Sequence, residues 1–169
     1  MKPALNSAPE SIDIFCRVID NLGDAGVCGR LTHQLAIEHH KTVRLFIDQP
    51  ACLNQILPDL GQHAEIIPWT ESLPYTDAAD LVIEAFACDL PDQVLTAMMK
   101  RTIPPVWIDL EYLTAEKWAE TCHAIPSTHP MTGLKKTLFF PGFTSPTGGV
   151  IRERDLIAAR DRFQSSPQD

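Results

Sequence analysis

The sequence predicts an α/β domain in which a mainly parallel sheet carries helices on both faces. Three observations lead there. Short β-branched and aromatic runs alternate with helix-period segments along nearly the whole chain, and parallel neighbours require such crossovers. Residues 12–31 (IDIFCRVIDNLGDAGVCGRL) join an apolar run to a helical pattern through a loop holding two acids and three glycines. The 169 residues are 44% hydrophobic and 21% charged, enough for one compact domain with its own core.

Residues 1–10 are polar and proline-containing and read as a flexible tail. Ile14, Phe15, Val18 and Ile19 are types expected of a buried strand, and Val27, Leu31 and Leu35 recur on one helix face. That helix ends near residues 39–41. Residues 43–48 (VRLFID) form a second strand, closed by Gln49-Pro50. Leu53, Ile56, Leu57 and Leu60 fit a short helix, and residues 65–69 a third strand. Residues 80–86 (DLVIEAF) make a fourth, followed by a helix to Lys100 or Arg101. After Pro104-Pro105 come a fifth strand at 106–110 and a helix capped by Thr114. Residues 136–140 make a sixth strand, and the Gly/Pro-rich loop 141–149 precedes a charged helix over 152–163. Residues 11–151 are thus one domain, and 152–169 a helix leading toward a second.

Composition narrows the function. The net charge of −8, without a basic run, argues against nucleic acid and anionic lipid as partners. No apolar run is long enough to span a bilayer, and the amino terminus lacks secretory features, so a cytoplasmic protein is expected. Five scattered cysteines without a CxxC pair indicate buried, reduced thiols, with neither a disulfide framework nor a zinc site. His123 and His129 have no third ligand at metal spacing, and Trp69, Trp107 and Trp118 are assigned to the core.

Open α/β sheets bind ligands beyond the carboxyl ends of their strands, and the acids fall there. Asp20 and Asp24 are read in two ways. Either both enter one cleft, one holding a nucleophile and the other taking its proton, or one caps the following helix. Gly23, Gly26 and Gly29 give G-x-x-G-x-x-G, which is not the dinucleotide fingerprint, and Asp24 would repel a pyrophosphate. Asp48 mimics a ribose-binding acid, so a nucleotide-binding oxidoreductase stays as an alternative. Glu84 and Asp89, then Asp109, Glu111 and Tyr112, end successive strands at the same edge. They are candidates for acceptor contact or for structural hydrogen bonding. Gly148 and Gly149 either bring backbone amides to a phosphate or form a plain turn.

VIDNLGDAGVCGRL, LVIEAFACDLP, VWIDLEYLTAEKW and FFPGFTSPTGGVIRERD, in this order, resemble the amino-terminal half of the EarP family, the protein-arginine rhamnosyltransferases of elongation factor P. The resemblance implies a Rossmann-like domain, the acceptor-binding amino-terminal half of an inverting GT-B glycosyltransferase. Such an enzyme moves L-rhamnose from TDP-β-L-rhamnose to an arginine of elongation factor P. It implies Asp24 as general base and Asp20 as the group orienting the guanidinium, with the order open to reversal. Placed in that frame, the positions of Glu84, Asp89, Asp109, Glu111 and Tyr112 make them the candidate acceptor contacts, and Gly23, Gly148 and Gly149 the candidate donor-phosphate contacts. No metal or cofactor is expected, and most donor contacts belong to a second domain, without which this half should be inactive. Gly29 and Leu22 stand where the family usually has a tryptophan and another aromatic. A non-catalytic module that docks elongation factor P is the other alternative.

Overall fold

The computed structural model describes residues 8–20 and 22–165. Strand β1 (Ser11–Cys16) lies in the interior of the sheet, and its pleat sends Ile12, Ile14 and Cys16 to one face and Asp13 and Phe15 to the other. The remaining strands are β2 (Thr42–Ile47), β3 (Glu65–Pro68), β4 (Leu81–Ala85), β5 (Val106–Leu110), β6 (Pro126–Thr128) and β7 (Lys135–Phe139). Their order is β3-β2-β1-β4-β5-β7-β6, parallel except where β6 runs antiparallel to β7. This is a Rossmann-like α/β sheet. The winding reverses between β1 and β4, and a crevice opens at such a switch point.

Helices cover both faces. Ala25 and Cys28 of α1 (Gly23–Ile37) and Leu53 of α2 (Pro50–Ile56) close over Ile12, Ile14, Leu45, Ile47 and Ile83. On the other face α3 (Asp92–Lys100) sets Val94, Leu95 and Met98 against Phe15, Phe46, Val82 and Trp107. Gly29 is where α1 and α2 come closest, since a Cβ there would lie 2.6 Å from Leu53 Cδ1 and 2.8 Å from Leu57 Cδ1. A tryptophan at that position would displace α2.

The α3 face also buries charge. Asp13 accepts from Arg44 Nε and Nη2 at 2.6 and 2.7 Å, from the Tyr75 hydroxyl at 2.6 Å and from Ala79 N at 3.0 Å. Burial, and then Asp13 itself, raise the Tyr75 pKa far above the ordinary phenol value. Two strands further on, Lys136 Nζ lies 2.7 Å from Asp109 and 3.2 Å from Glu84, and the Trp107 indole also donates to Glu84, at 3.1 Å.

Several elements differ from the sequence expectation. Strand β1 starts at Ser11 and ends at Cys16, because the Val18 amide donates to Asp48 Oδ1 and the Ile19 amide to Asp24 Oδ2, drawing the chain off the ladder. The helix expected from Thr114 begins only at Trp118: α4 is Trp118–Cys122. Glu111 N donates to Phe139 O and Thr114 N to Pro141 O, which keeps residues 111–114 extended. Trp118 is 52% exposed, not core, with its ring edge-on to Phe140, whereas Trp69 and Trp107 are buried. Strand β6 was not foreseen. The last helix, α5 (Leu156–Ser165), buries no residue. Apart from residues 8–10, the expected tail lies outside the described residues.

The segment before α5 is strapped to α1. Arg30 grips Glu153 through Nε and Nη2 at 2.7 and 2.8 Å, Gln34 donates to Arg152 O at 2.8 Å, and Arg154 N donates to Glu38 at 2.8 Å.

Candidate active site

A cavity of about 540 Å3 runs beside α1, over β4 and β5, and opens at the carboxyl ends of the strands. Leu31, Leu35, Leu81, Ile83 and Ile108 make its apolar depth, and Val150 and Ile151 of the strap its outer wall. Asp20, Asp24, Glu111 and Tyr112 supply polar groups to it.

The loop between β1 and α1 fixes the two acids differently. Asp24 stands in the first turn of α1, 1% exposed, and turns its carboxylate backward so that Oδ2 accepts the amides of Ile19 at 2.8 Å and Asp20 at 2.9 Å. Neither acid makes a side-chain hydrogen bond to the cap of α1, whose cap position is Leu22. Asp24 therefore shapes the loop ahead of the helix. Asp20 is exposed, and its carbonyl accepts the Gly23 amide at 2.7 Å. A Cβ on Gly23 would come within 2.7 Å of Asp20 Oδ2, so the glycine gives the carboxylate its room.

Across the cavity, β4 and β5 end in an aromatic pair. Phe86 and Tyr112 stack with ring centroids 4.4 Å apart and planes 15° from parallel. Phe86 holds φ at 58°, and Ala87 and Asp89 in the same turn are also left-handed at 50° and 53°. Each such residue without a glycine costs on the order of 1 kcal/mol or more, which the surrounding packing must offset. Burial raises the pKa of the Tyr112 phenol, and the nearby negative charge of Asp24 raises it further. Burial, and then the charge of Asp109, raise the Glu111 pKa.

The structure separates the expected site residues. Asp20, Asp24, Glu111, Tyr112, Gly23, Gly148 and Gly149 all line the cavity. Glu84, 2% exposed, and Asp109 lie beneath it, tied to Lys136, and Asp89 is exposed on the turn after β4. The Gly23 and Gly148 amides, expected to face donor phosphates, are taken by the carbonyls of Asp20 and Phe140. Gly148 also packs its backbone against the Phe139 ring, and Gly149 adopts φ +74°, where only glycine is unstrained. Asp48 is occupied by the Val18 amide. Sequence reasoning missed Lys136, whose only signal was a lysine inside a strand pattern, and Phe86 as the partner of Tyr112. Among the described residues no cluster of three His, Cys, Asp or Glu is placed to hold a metal ion, and no helix is long and apolar enough to cross a membrane. The thiols are free; the neighbouring Cys16 thiol and then burial hold Cys28, and burial holds Cys88, well above the ordinary thiol pKa.

Fold and cleft together define a Rossmann-like α/β domain with a pair of acids in the crevice at its strand switch. The family model described as Elongation-Factor P (EF-P) rhamnosyltransferase EarP matches residues 12–169, and the chain belongs to this family. It is 48% identical over 164 residues to a protein-arginine rhamnosyltransferase of Pseudomonas aeruginosa and 46% identical over 164 residues to one of Pseudomonas putida, each alignment covering 92% of this chain and 43% of the relative. A protein-arginine rhamnosyltransferase of Neisseria meningitidis is 40% identical over 164 residues, 92% of this chain and 42% of the relative. The chain thus spans less than half the length of these relatives.

Proposed function

We propose that this chain is the acceptor-binding half of an inverting GT-B glycosyltransferase, transferring L-rhamnose from TDP-β-L-rhamnose to an arginine of elongation factor P in the cytoplasm. The observation that carries the reading is the Asp20–Asp24 pair, set across a glycine turn in an acidic, apolar-walled cleft at the strand switch. Family membership supplies the chemistry that the pair would serve.

A guanidinium stays protonated at neutral pH with its lone pairs delocalised, so it attacks only as a proton is removed. Asp24 is the base in this reading. Its Oδ2 is pinned by two amides, which leaves the other oxygen for the acceptor. The exposed Asp20 accepts a second guanidinium N–H and orients the group. The new bond forms between the guanidinium nitrogen and the anomeric carbon while the bond from that carbon to the TDP oxygen breaks. The proton passes to Asp24, and TDP leaves as an anion. A guanidinium is a far weaker acid than any carboxylic acid, so proton transfer accompanies C–N bond formation and does not precede it.

Glu111 and Tyr112 meet the acceptor, with Asp89 at the rim. Glu84 and Asp109 act from below, holding the ends of β4 and β5 through Lys136. Of the three glycines, Gly149 alone keeps its amide out of hydrogen bonds among the described residues, and it is the donor contact left to this half. The remaining donor contacts belong to a second domain of the length that the relatives carry.

The test is mass spectrometry of elongation factor P incubated with TDP-rhamnose and the two-domain enzyme carrying Asp24→Asn or Asp20→Asn. Loss of the base should lower turnover by about 10²–10⁴-fold. Normal rhamnosylation by Asp24→Asn would sink the assignment, and a larger loss with Asp20→Asn would reverse the two roles.

A further inference from the structure

Phe86 and Tyr112 form a graded stack. Phe86 packs one way against the core beneath β4, Tyr112 lies on it at 4.4 Å, and Tyr112 is 50% exposed with its ring at the cavity. It lines the same cavity as Asp20 and Asp24, so the ring stands between the core and the acid pair. The run of left-handed residues at Phe86, Ala87 and Asp89 is the backbone distortion that delivers Phe86 to this place. An aromatic face locked from behind, open in front and edged by Asp20, Asp24 and Glu111 offers two features at once: carboxylates for N–H donors and a flat π surface for a planar cation.

We propose that the open face of Tyr112, backed by Phe86, is the platform on which the acceptor guanidinium stacks, and that it selects arginine over lysine. The inference rests on the acceptor reading above. A guanidinium is planar and weakly hydrated. It lies flat on a ring while its edge N–H groups reach carboxylates at the ring's margin. An ammonium is a strongly hydrated point charge that gains from the acids but has no plane to match to the ring. The carboxylates therefore attract any cation, and the ring distinguishes which one stays.

The experiment uses the 169-residue chain, with N-acetyl-arginine methylamide and N-acetyl-lysine methylamide as probes of equal charge. The chain has two tyrosines, and Tyr75 is buried on the far face of the sheet against Phe15 and Phe46, so its ring resonances serve as the fold control. The arginine probe should shift the Tyr112 ring protons and bind about threefold to tenfold tighter than the lysine probe, the range expected of a partly desolvated cation–π contact. Tyr112→Leu should bring that ratio to about one, and Tyr112→Phe, which keeps the ring without the hydroxyl, should preserve it. Equal binding of both probes by the unaltered chain, a preference that survives Tyr112→Leu, or its loss in Tyr112→Phe would each overturn the platform while leaving the acceptor reading standing. Absence of any cleft shift with either probe would overturn the acceptor reading and the platform with it.

Discussion

Replacing Lys136 with methionine should destabilise the domain in a pH-dependent way. Lys136 Nζ bridges Asp109 at 2.7 Å and Glu84 at 3.2 Å, and both carboxylates are almost fully buried. Asp109 Oδ1 has no other partner among the described residues. Burial opposes the charge on Lys136, but its bonds to the two acids outweigh that and raise its pKa. Glu84 is already raised, by burial first and then by Asp109, even with the lysine present. Removing one partner of a buried ion pair costs about 3–5 kcal/mol, because the remaining charge keeps its desolvation penalty and loses its attraction. In Lys136→Met two adjacent carboxylates have no cation, so one must take a proton to stay buried. The folded state then holds a proton that the unfolded state releases above its ordinary carboxylate pKa, and stability falls by about 1.4 kcal/mol per pH unit until the folded pKa is passed. Urea denaturation at pH 5 and pH 8 reads this directly. The loss relative to the unaltered protein should be small at pH 5 and reach about 3–5 kcal/mol at pH 8. A loss that is the same at both pH values would refute the idea that Lys136 compensates buried charge.

Two further outcomes follow from the other buried polar groups. Asp13→Ala leaves Arg44 and the Tyr75 hydroxyl without their acceptor and should cost about 3–5 kcal/mol in urea denaturation at pH 7; a loss below about 1 kcal/mol would mean that water replaces the carboxylate. Asp80 is held down to about 2, chiefly by the Ser11 amide and hydroxyl and further by Arg101. Its folded pKa is depressed, so its contribution is present above the ordinary value of 3.8 and disappears as pH falls through about 2. Asp80→Asn should flatten the acid limb of the stability curve between pH 4 and pH 2, measured by thermal unfolding, and an unchanged limb would count against the bond network.

The parallel sheet was legible because its strands are buried on both faces and therefore read as apolar runs. Val106–Leu110 is the same span in sequence and structure, and β2, β3, β4 and β7 shift by a residue or two at most. Reading failed where a side chain from elsewhere takes over a backbone group. Val18 and Ile19 have strand composition, but Asp48 and Asp24 claim their amides. Thr114 has the composition of a helix cap, but residues 111–114 are still paired with the chain beyond β7. In neither case does any nearby residue announce the competitor. The candidate site shows the same division. Asp20, Asp24, Glu111 and Tyr112 were accessible because the carboxyl edge of a parallel sheet can be inferred from element order alone. Lys136 was not, since only the register of β7 against β5, which sets it beside Trp107, brings it to Glu84 and Asp109.

That register also explains why the acids at one edge do not all do the same work. Glu84 and Asp109 are partners across β4 and β5, on the face covered by α3, and they lie within the strands. The sheet encloses them, and a lysine from the next strand compensates them. Glu111 lies just past the end of β5, where the pleat no longer dictates a face and the chain can turn its side chain toward the α1 side, and Asp24 reaches the same cavity from the first turn of α1. Two residues along the chain thus separate a carboxylate consumed by the fold, Asp109, from one presented to the cavity, Glu111. Moving an acid inward, as in Leu110→Asp, would place it at a buried core position beneath α1 without a cation, whereas Glu111 at the next position is only partly buried. The acidic cleft therefore depends on where β4 and β5 stop, and those stops are set by Phe86, whose amide donates to Leu110 O at 2.7 Å, and by Glu111, whose amide donates to Phe139 O at 2.9 Å. These bonds also fix the backbone from which Phe86 and Tyr112 meet in their stack.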